Sequence, residues 1–244
     1  QSEEKTTDWT TPAYIYTILQ ANEENGIRWN NSADLIYDYK PKKGEELNVR
    51  FSYTDGNRND DMVFEQDTLN AGNVKAPSMR YSTVSFGDQW EFNGLVDYVK
   101  KWNDDRKLEA GVKMILRDDL DGFNRTNTDI NTGIATLDPL SVNEFLYSED
   151  IFAAYANYGF KKGPWGFQLG LRAEQANIEA TQITQDSTFV NDYFQVYPSA
   201  FLTYEIARGR ELNFSYSRRV QRPGGRQLNP FIDYSDPFNL RQGN

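Results

Sequence analysis

Apolar and polar residues alternate with period two in paired segments joined by very short turns, and long polar stretches separate the pairs. In the clearest pair, Phe152 to Phe160 is followed by Trp165 to Ala173 with only Lys161, Lys162, Gly163 and Pro164 between them. Gly beside Pro punctuates a tight turn. Along the second segment Trp165, Phe167, Leu169, Leu171 and Ala173 share one face and Gly166, Gln168, Gly170, Arg172 and Glu174 the other, which is the period of a strand. The same grammar joins Ala33, Leu35, Tyr37 and Tyr39 to Leu47, Val49, Phe51 and Tyr53. It joins Trp90, Phe92, Val96 and Tyr98 to Leu108, Ala110, Val112, Met114 and Leu116, and Phe194, Val196, Ala200, Leu202 and Tyr204 to Leu212, Phe214 and Tyr216.

Short turns near 41–45, 100–106, 161–164 and 207–210 alternate with long excursions near 55–87, 118–148, 177–192 and 219–244, rich in Asp, Asn, Thr and Gly. Bacterial outer-membrane barrels are written this way, with short turns on the periplasmic side, long loops outside and roughly 9 to 11 residues per crossing. The pattern predicts an all-β, antiparallel, up-and-down transmembrane β-barrel. Counting Ala13 to Leu19 as a first rising strand gives about nine strands. Bacterial single-chain barrels normally have an even number, so residues 1–244 are expected to be one segment of a larger barrel. The competing architecture is a soluble β-sandwich, because alternation alone does not tell lipid from a protein core.

Composition narrows the choice. The 244 residues carry a formal charge of −10, with 14% aromatic residues and neither Cys nor His. A mean hydropathy of −0.75 argues against spanning helices, but barrels escape that test because only alternate residues face lipid. The acidic balance argues against nucleic acid, whose phosphates call for clustered Lys and Arg. Lack of Cys removes disulfides and thiol chemistry, and lack of His removes the dyads built on it. Gln1 opens into a polar segment without the apolar core of an export signal, so the signal of an exported chain is expected to have been removed. Aromatics gather at strand ends (Tyr37, Tyr39, Tyr98, Phe160, Trp165, Tyr204), as an interfacial girdle requires.

An ordered series of short motifs adds a resemblance. Gly170-Leu171-Arg172-Ala173-Glu174, Tyr197-Pro198-Ser199, Tyr216-Ser217-Arg218-Arg219-Val220-Gln221-Arg222-Pro223, Leu228-Asn229-Pro230-Phe231 and the terminal Gly243-Asn244 resemble the barrel of TonB-dependent receptors of Bacteroidetes, and among these their outer-membrane β-barrel family. The resemblance reaches less distinctly back to about Asn30. It implies a wall section of a roughly 22-stranded barrel in the cell outer membrane, without the plug domain and energy-coupling box. It also implies active uptake of a nutrient ligand through a plug and the TonB system, outer-membrane lipids around the wall, and a surface lipoprotein as a further partner. It implies no cofactor. An adhesion barrel without transport is the alternative within the same architecture.

Catalytic constellations are sparse. The acidic pairs Asp60-Asp61, Asp104-Asp105 and Asp118-Asp119 read as solvated turn and loop charges rather than a glycosidase pair. Asp119, Asp121 and Asn124, with Gly122 between them, loosely resemble a calcium loop, but the acidic closing ligand is missing and a plain hydrophilic loop is the stronger reading. Arg218, Arg219, Arg222 and Arg226 form the local basic cluster. With Asn229 and Phe231 they are the ligand-contact candidates, and pairing with acidic residues of the barrel wall is the stronger reading for the arginines. Phe231, Tyr234 and Phe238 are candidates for stacking on a ligand, although loop packing is the plainer role. Trp29, Trp90 and Trp102 are expected at the membrane interface.

Overall fold

The computed structural model describes residues 2–11, 14–69, 75–233 and 241–243. Nine strands form one antiparallel sheet in chain order: β1 (Ser2–Thr11), β2 (Tyr14–Tyr39), β3 (Glu45–Leu69), β4 (Lys75–Asn103), β5 (Arg106–Thr128), β6 (Ala135–Lys162), β7 (Trp165–Gln182), β8 (Ser187–Ala207) and β9 (Arg210–Ser217). Among the described residues β1 and β9 do not pair with each other, so the sheet stays open at both edges. A single-turn helix α1 (Gly225–Leu228) and a small pair, β10 (Ile232–Asp233) and β11 (Arg241–Gln242), follow.

The four short turns fall where the alternation places them. Gly44, Gly163 and Gly209 have φ of 82°, 59° and 77°, a region that a side chain disfavours and glycine enters freely. In the β4–β5 turn the Asn103 side chain accepts a hydrogen bond from the amide of Asp105 at 3.0 Å instead.

Two expectations are corrected. Ala13 to Leu19 does not supply a separate rising strand: residues 14–19 are the upper end of β2, which runs unbroken to Tyr39, and the first strand is Ser2–Thr11. The count of nine therefore stands on a different first strand. The excursions near 55–87, 118–148 and 177–192 are mostly strand as well, since β4 alone has 29 residues and β6 has 28. A crossing needs roughly 9 to 11, so the hairpins rise well past the bilayer before turning at 129–134 and 183–186. Asp, Asn and Gly have weak intrinsic strand preference, and cross-strand bonds override it here. Arg58 holds Asp121 at 2.9 Å, Asn57 holds Asp88 at 2.6 Å and Trp90 Nε1 donates to Asp118 at 2.8 Å.

One face of the membrane-level wall is apolar and exposed: Val112, Phe152, Leu169, Leu171, Phe194 and Val196 all show large side chains outward. Among the described residues no second layer covers them, which a sandwich would require. Beside the short turns an aromatic chain runs along this face. Trp102 meets Tyr158 at 6.3 Å, Phe160 stacks on Phe167 at 4.8 Å and Trp165 lies against Tyr204 at 4.4 Å. The opposite, inner face carries Asp97, Lys113, Tyr155 and Arg172 at the same levels.

On that inner face Tyr155 reaches across Gly111 and its hydroxyl donates to Asp97. A Cβ at Gly111 would stand 2.7 Å from the Val96 carbonyl oxygen and 2.8 Å from the Tyr155 hydroxyl. Backbone cannot yield as a side-chain tip can, so Gly111→Val is expected to cost about 1–3 kcal/mol by overpacking. Unfolding in lipid vesicles checks it; an unchanged midpoint would mean the tyrosine does not need the gap.

Candidate functional site

The inner face of β5–β8 is covered by the chain's own segment 218–233. After the Arg218 amide makes a last bond to the Pro198 carbonyl at 3.1 Å, the chain leaves the wall and crosses inward over four strands. The Arg218 guanidinium lies 5.9 Å from the Tyr197 ring on β8. Arg222 Nε donates to the Tyr193 hydroxyl at 2.5 Å, and its guanidinium forms an ion pair with Glu174 on β7. Gly225 sits on Tyr147 of β6, where its missing side chain matters: a Cβ would stand 3.0 Å from the Tyr147 Cβ. Leu228 packs on the buried group Phe145, Tyr147, Ile178 and Ala180, and the Phe231 ring is 6.1 Å from Phe123 on β5. We call this segment the strap.

Beneath it runs a belt of alternating charge. Glu174 is 3% exposed and receives Arg172 at 2.7 Å as well as Arg222. Glu149, 5% exposed, receives Arg117 at 2.5 Å, and Arg117 also faces Glu91 at 3.9 Å and the Tyr147 ring at 5.3 Å. Buried carboxylates are tolerated when paired this way, because the desolvation cost is offset only by close, multiply bonded partners.

Of the predicted residues, Arg218 and Arg222 join the wall through an aromatic ring and a carboxylate, while Arg219 stays exposed. The backbone of Arg226 lies in α1 and its side chain falls outside the described residues, as do Tyr234 and Phe238. Asn229 spends its polar groups on the strap itself: its amide bonds the Gly225 carbonyl and its Oδ1 accepts from the Phe231 amide, both at 3.0 Å. Asp119, Asp121 and Asn124 do not form a loop. They lie in β5, where alternation puts Asn124 on the face opposite the two aspartates, and Asp121 is held by Arg58 at 2.9 Å. Among the described residues no cluster of three or more acidic side chains is placed to hold a metal ion. Sequence reasoning missed Glu149, Glu174 and Arg117; they are isolated along the chain, and only strand register brings them together.

The β5–β6 tip is a built turn. Asp129 Oδ1 accepts from the Asn131 and Thr132 amides at 2.9 and 2.8 Å, and Gly133 takes φ of 71°. The Thr132 amide, then that of Asn131, holds the Asp129 carboxyl below its usual range. A depressed carboxylate contributes stability that is complete above its unfolded value, about 3.9, and is lost as pH falls through the lower folded value. The Asn131 and Thr132 amide resonances are therefore expected to titrate below about pH 3.9, and Asp129→Ala should abolish that titration.

An open antiparallel wall with an exposed apolar belt on one side and a charged interior on the other defines a section of a transmembrane β-barrel. The chain belongs to the outer membrane protein beta-barrel family, whose model matches residues 40–244, and is an outer-membrane protein. No curated protein sequence matches it. Among solved structures it is similar to the ferric citrate transporter FecA in its unliganded form (13% identity, TM-score 0.43, 87% of this chain and 40% of that chain). It is also similar to the siderophore receptor PiuA from Acinetobacter baumannii (10%, 0.43, 88% and 48%) and to the copper transporter OprC (11%, 0.41, 84% and 40%). The chain spans less than half the length of these structures.

Proposed function

We propose that this chain is barrel wall of a TonB-dependent receptor of the Bacteroidetes type, which imports a nutrient ligand and performs no chemistry on it. The observation that carries the reading is the inversion of polarity across one open sheet: apolar to lipid, charged toward an interior that nine strands do not close. Eight strands suffice to close a barrel filled by its own side chains, so an open nine-stranded wall belongs to a wider lumen. Such a lumen needs a plug, and Glu91 and Arg117, whose side chains are partly exposed on the inner face, offer it charged partners. Coupling to the TonB system would then supply the energy for release, and a surface lipoprotein would sit over the long hairpins.

A second reading, adhesion without transport, is favoured by the β5–β6 tip. Ile130, Ile134, Leu137 and Leu140 are 45–82% exposed there, far from the lipid-facing rows. Growth of a deletion strain separates the two, with ferric citrate, cobalamin or maltoheptaose made limiting in turn and repeated with a protonophore. A defect on one source, with uptake that collapses when the proton gradient is removed, supports import. Normal growth and uptake on all three, together with lost surface attachment, supports adhesion.

A further inference from the structure

The lipid-facing side of the wall is not uniform. One ladder row on it reads Phe51, Gly94, Met114, Phe152, Gln175, Phe194 from β3 to β8, and the row next to it, nearer the short turns, places Ala154 and Ala173 beside Val112. The two alanines sit low among Val112, Phe152 and Phe194, which are 44–63% exposed, and a trough of about 550 Å³ runs along these rows. At its β3 end the Phe51 ring leans over Gly94, 3.4 Å from where a Cβ would stand, and closes it. Ladder rows run at right angles to the strands, and barrel strands tilt by roughly 35–45°, so the trough climbs through the bilayer. Phe51 lies near the middle of the lipid-facing stretch between Glu45 and Asp55, whereas on β7 the apolar row Trp165 to Ala173 has ended when the trough reaches Gln175. Five strand spacings of about 4.8 Å at that tilt rise by about 15 Å, one leaflet of a hydrocarbon core about 30 Å thick. That is the course of a single acyl chain from the bilayer midplane to its head group on the long-hairpin side, with side chains of the wall added to its dispersion contacts.

The upper end of the trough is polar and of one sign. Asp150, Asn177 and Asp192 follow one another in the next row across β6, β7 and β8. Gln175 Nε2 donates to Asn177 Oδ1 at 2.8 Å, which leaves the Asn177 Nδ2 group as a donor. Asp150 and Asp192 are exposed, and among the described residues neither has an ion-pair partner. From β3 to β8 the two lipid-facing rows just above the trough hold Asp55, Asp118, Asp150, Glu179 and Asp192 and no Lys or Arg, while Lys100, Arg106 and Lys162 stand at the short-turn side. Carboxylates at this level repel an anionic head group and accept charge-assisted hydrogen bonds from an ammonium. The Asn177 amide, a donor between them, suits a phosphate or ester oxygen.

We propose that this trough is a lipid site: it holds one acyl chain of an outer-leaflet phospholipid with a zwitterionic phosphoethanolamine head group, whose ammonium meets Asp150 and Asp192. The site lies outside the barrel and does not depend on the import reading. Its test is native mass spectrometry of the full-length protein, extracted from outer membranes and delipidated in detergent, titrated with dioleoyl phosphatidylethanolamine, dioleoyl phosphatidylglycerol and lipid A. Phosphatidylethanolamine is expected to be retained about tenfold more tightly than either anionic lipid, the scale of a charge-assisted hydrogen bond. The double variant Asp150→Asn/Asp192→Asn should erase that preference while both phospholipids still bind. Ala173→Phe, which fills the trough with an apolar side chain on a face that already meets lipid, should remove the retention of phosphatidylethanolamine. Retained heat-modifiable mobility on gels shows that each variant is folded. Equal or tighter retention of phosphatidylglycerol or lipid A by the wild type, a preference unchanged in the double variant, or retention unchanged in Ala173→Phe overturns the proposal.

Discussion

Glu174→Ala is expected to release the strap and to destabilise the wall by about 3–5 kcal/mol, the cost of removing one partner from a buried ion pair. Glu174 is buried and joins two guanidiniums, Arg172 from its own strand and Arg222 from the strap. Without it both cations remain in a confined site, and Arg222 keeps the Tyr193 hydroxyl and ring and the more distant charge of Glu149. The strap carries Arg218 and Arg219 as trypsin sites, Arg222 being followed by Pro223, so trypsin reports its release directly. Cleavage after Arg218 and Arg219 should accelerate sharply in Glu174→Ala in native membranes, while the remaining wall stays protected. Arg222→Met in the Glu174→Ala background removes the stranded cation. A double-mutant cycle is expected to show a coupling of about 0.5–3 kcal/mol. Equal trypsin sensitivity of wild type and Glu174→Ala would show that the ion pair does not hold the strap.

Leu171→Arg should cost about 2–4 kcal/mol when unfolding is followed in lipid vesicles, the range for a cation on the lipid face at the bilayer midplane. Leu171 is 55% exposed in a row with Leu169, Phe167 and Trp165, the last lying in the aromatic girdle. Its neighbour Gly170 points to the inner face, where Asn157 and Ser199 already supply polar atoms. Exchanging polar for charged residues on that face, as in Gln168→Arg, should change stability by less than about 1 kcal/mol, since lumen positions meet water and polar groups. The contrast between positions 168 and 171 is the test. Similar costs at both would mean that neither face meets lipid and would send the apolar row back to a protein core.

Much of this wall was legible along the chain because a strand's faces repeat every second residue and membrane-level turns are short. The rows Trp165–Ala173 and Leu108–Leu116, all four short turns and the girdle aromatics needed no tertiary information, since each is set by neighbours within a few residues. The height of the hairpins was hidden. Residues 55–69 and 118–128 read as loop by composition, and they are strand because each pairs with a partner that the composition does not reveal. The arginine cluster was visible as a cluster, and pairing with wall carboxylates was its stronger reading, but its partner was not. Arg222 meets Glu174 across nearly fifty residues of chain only because β7, β8 and β9 run side by side and the strap then turns inward. The Arg58–Asp121 bridge is likewise a product of register: Arg28, Arg58, Gly87 and Asp121 share a row that exists only once four hairpinned strands are laid in place. Local periodicity determined which residues face lipid; long-range pairing decided which residues meet inside, because ladder register is settled between strands and not within them.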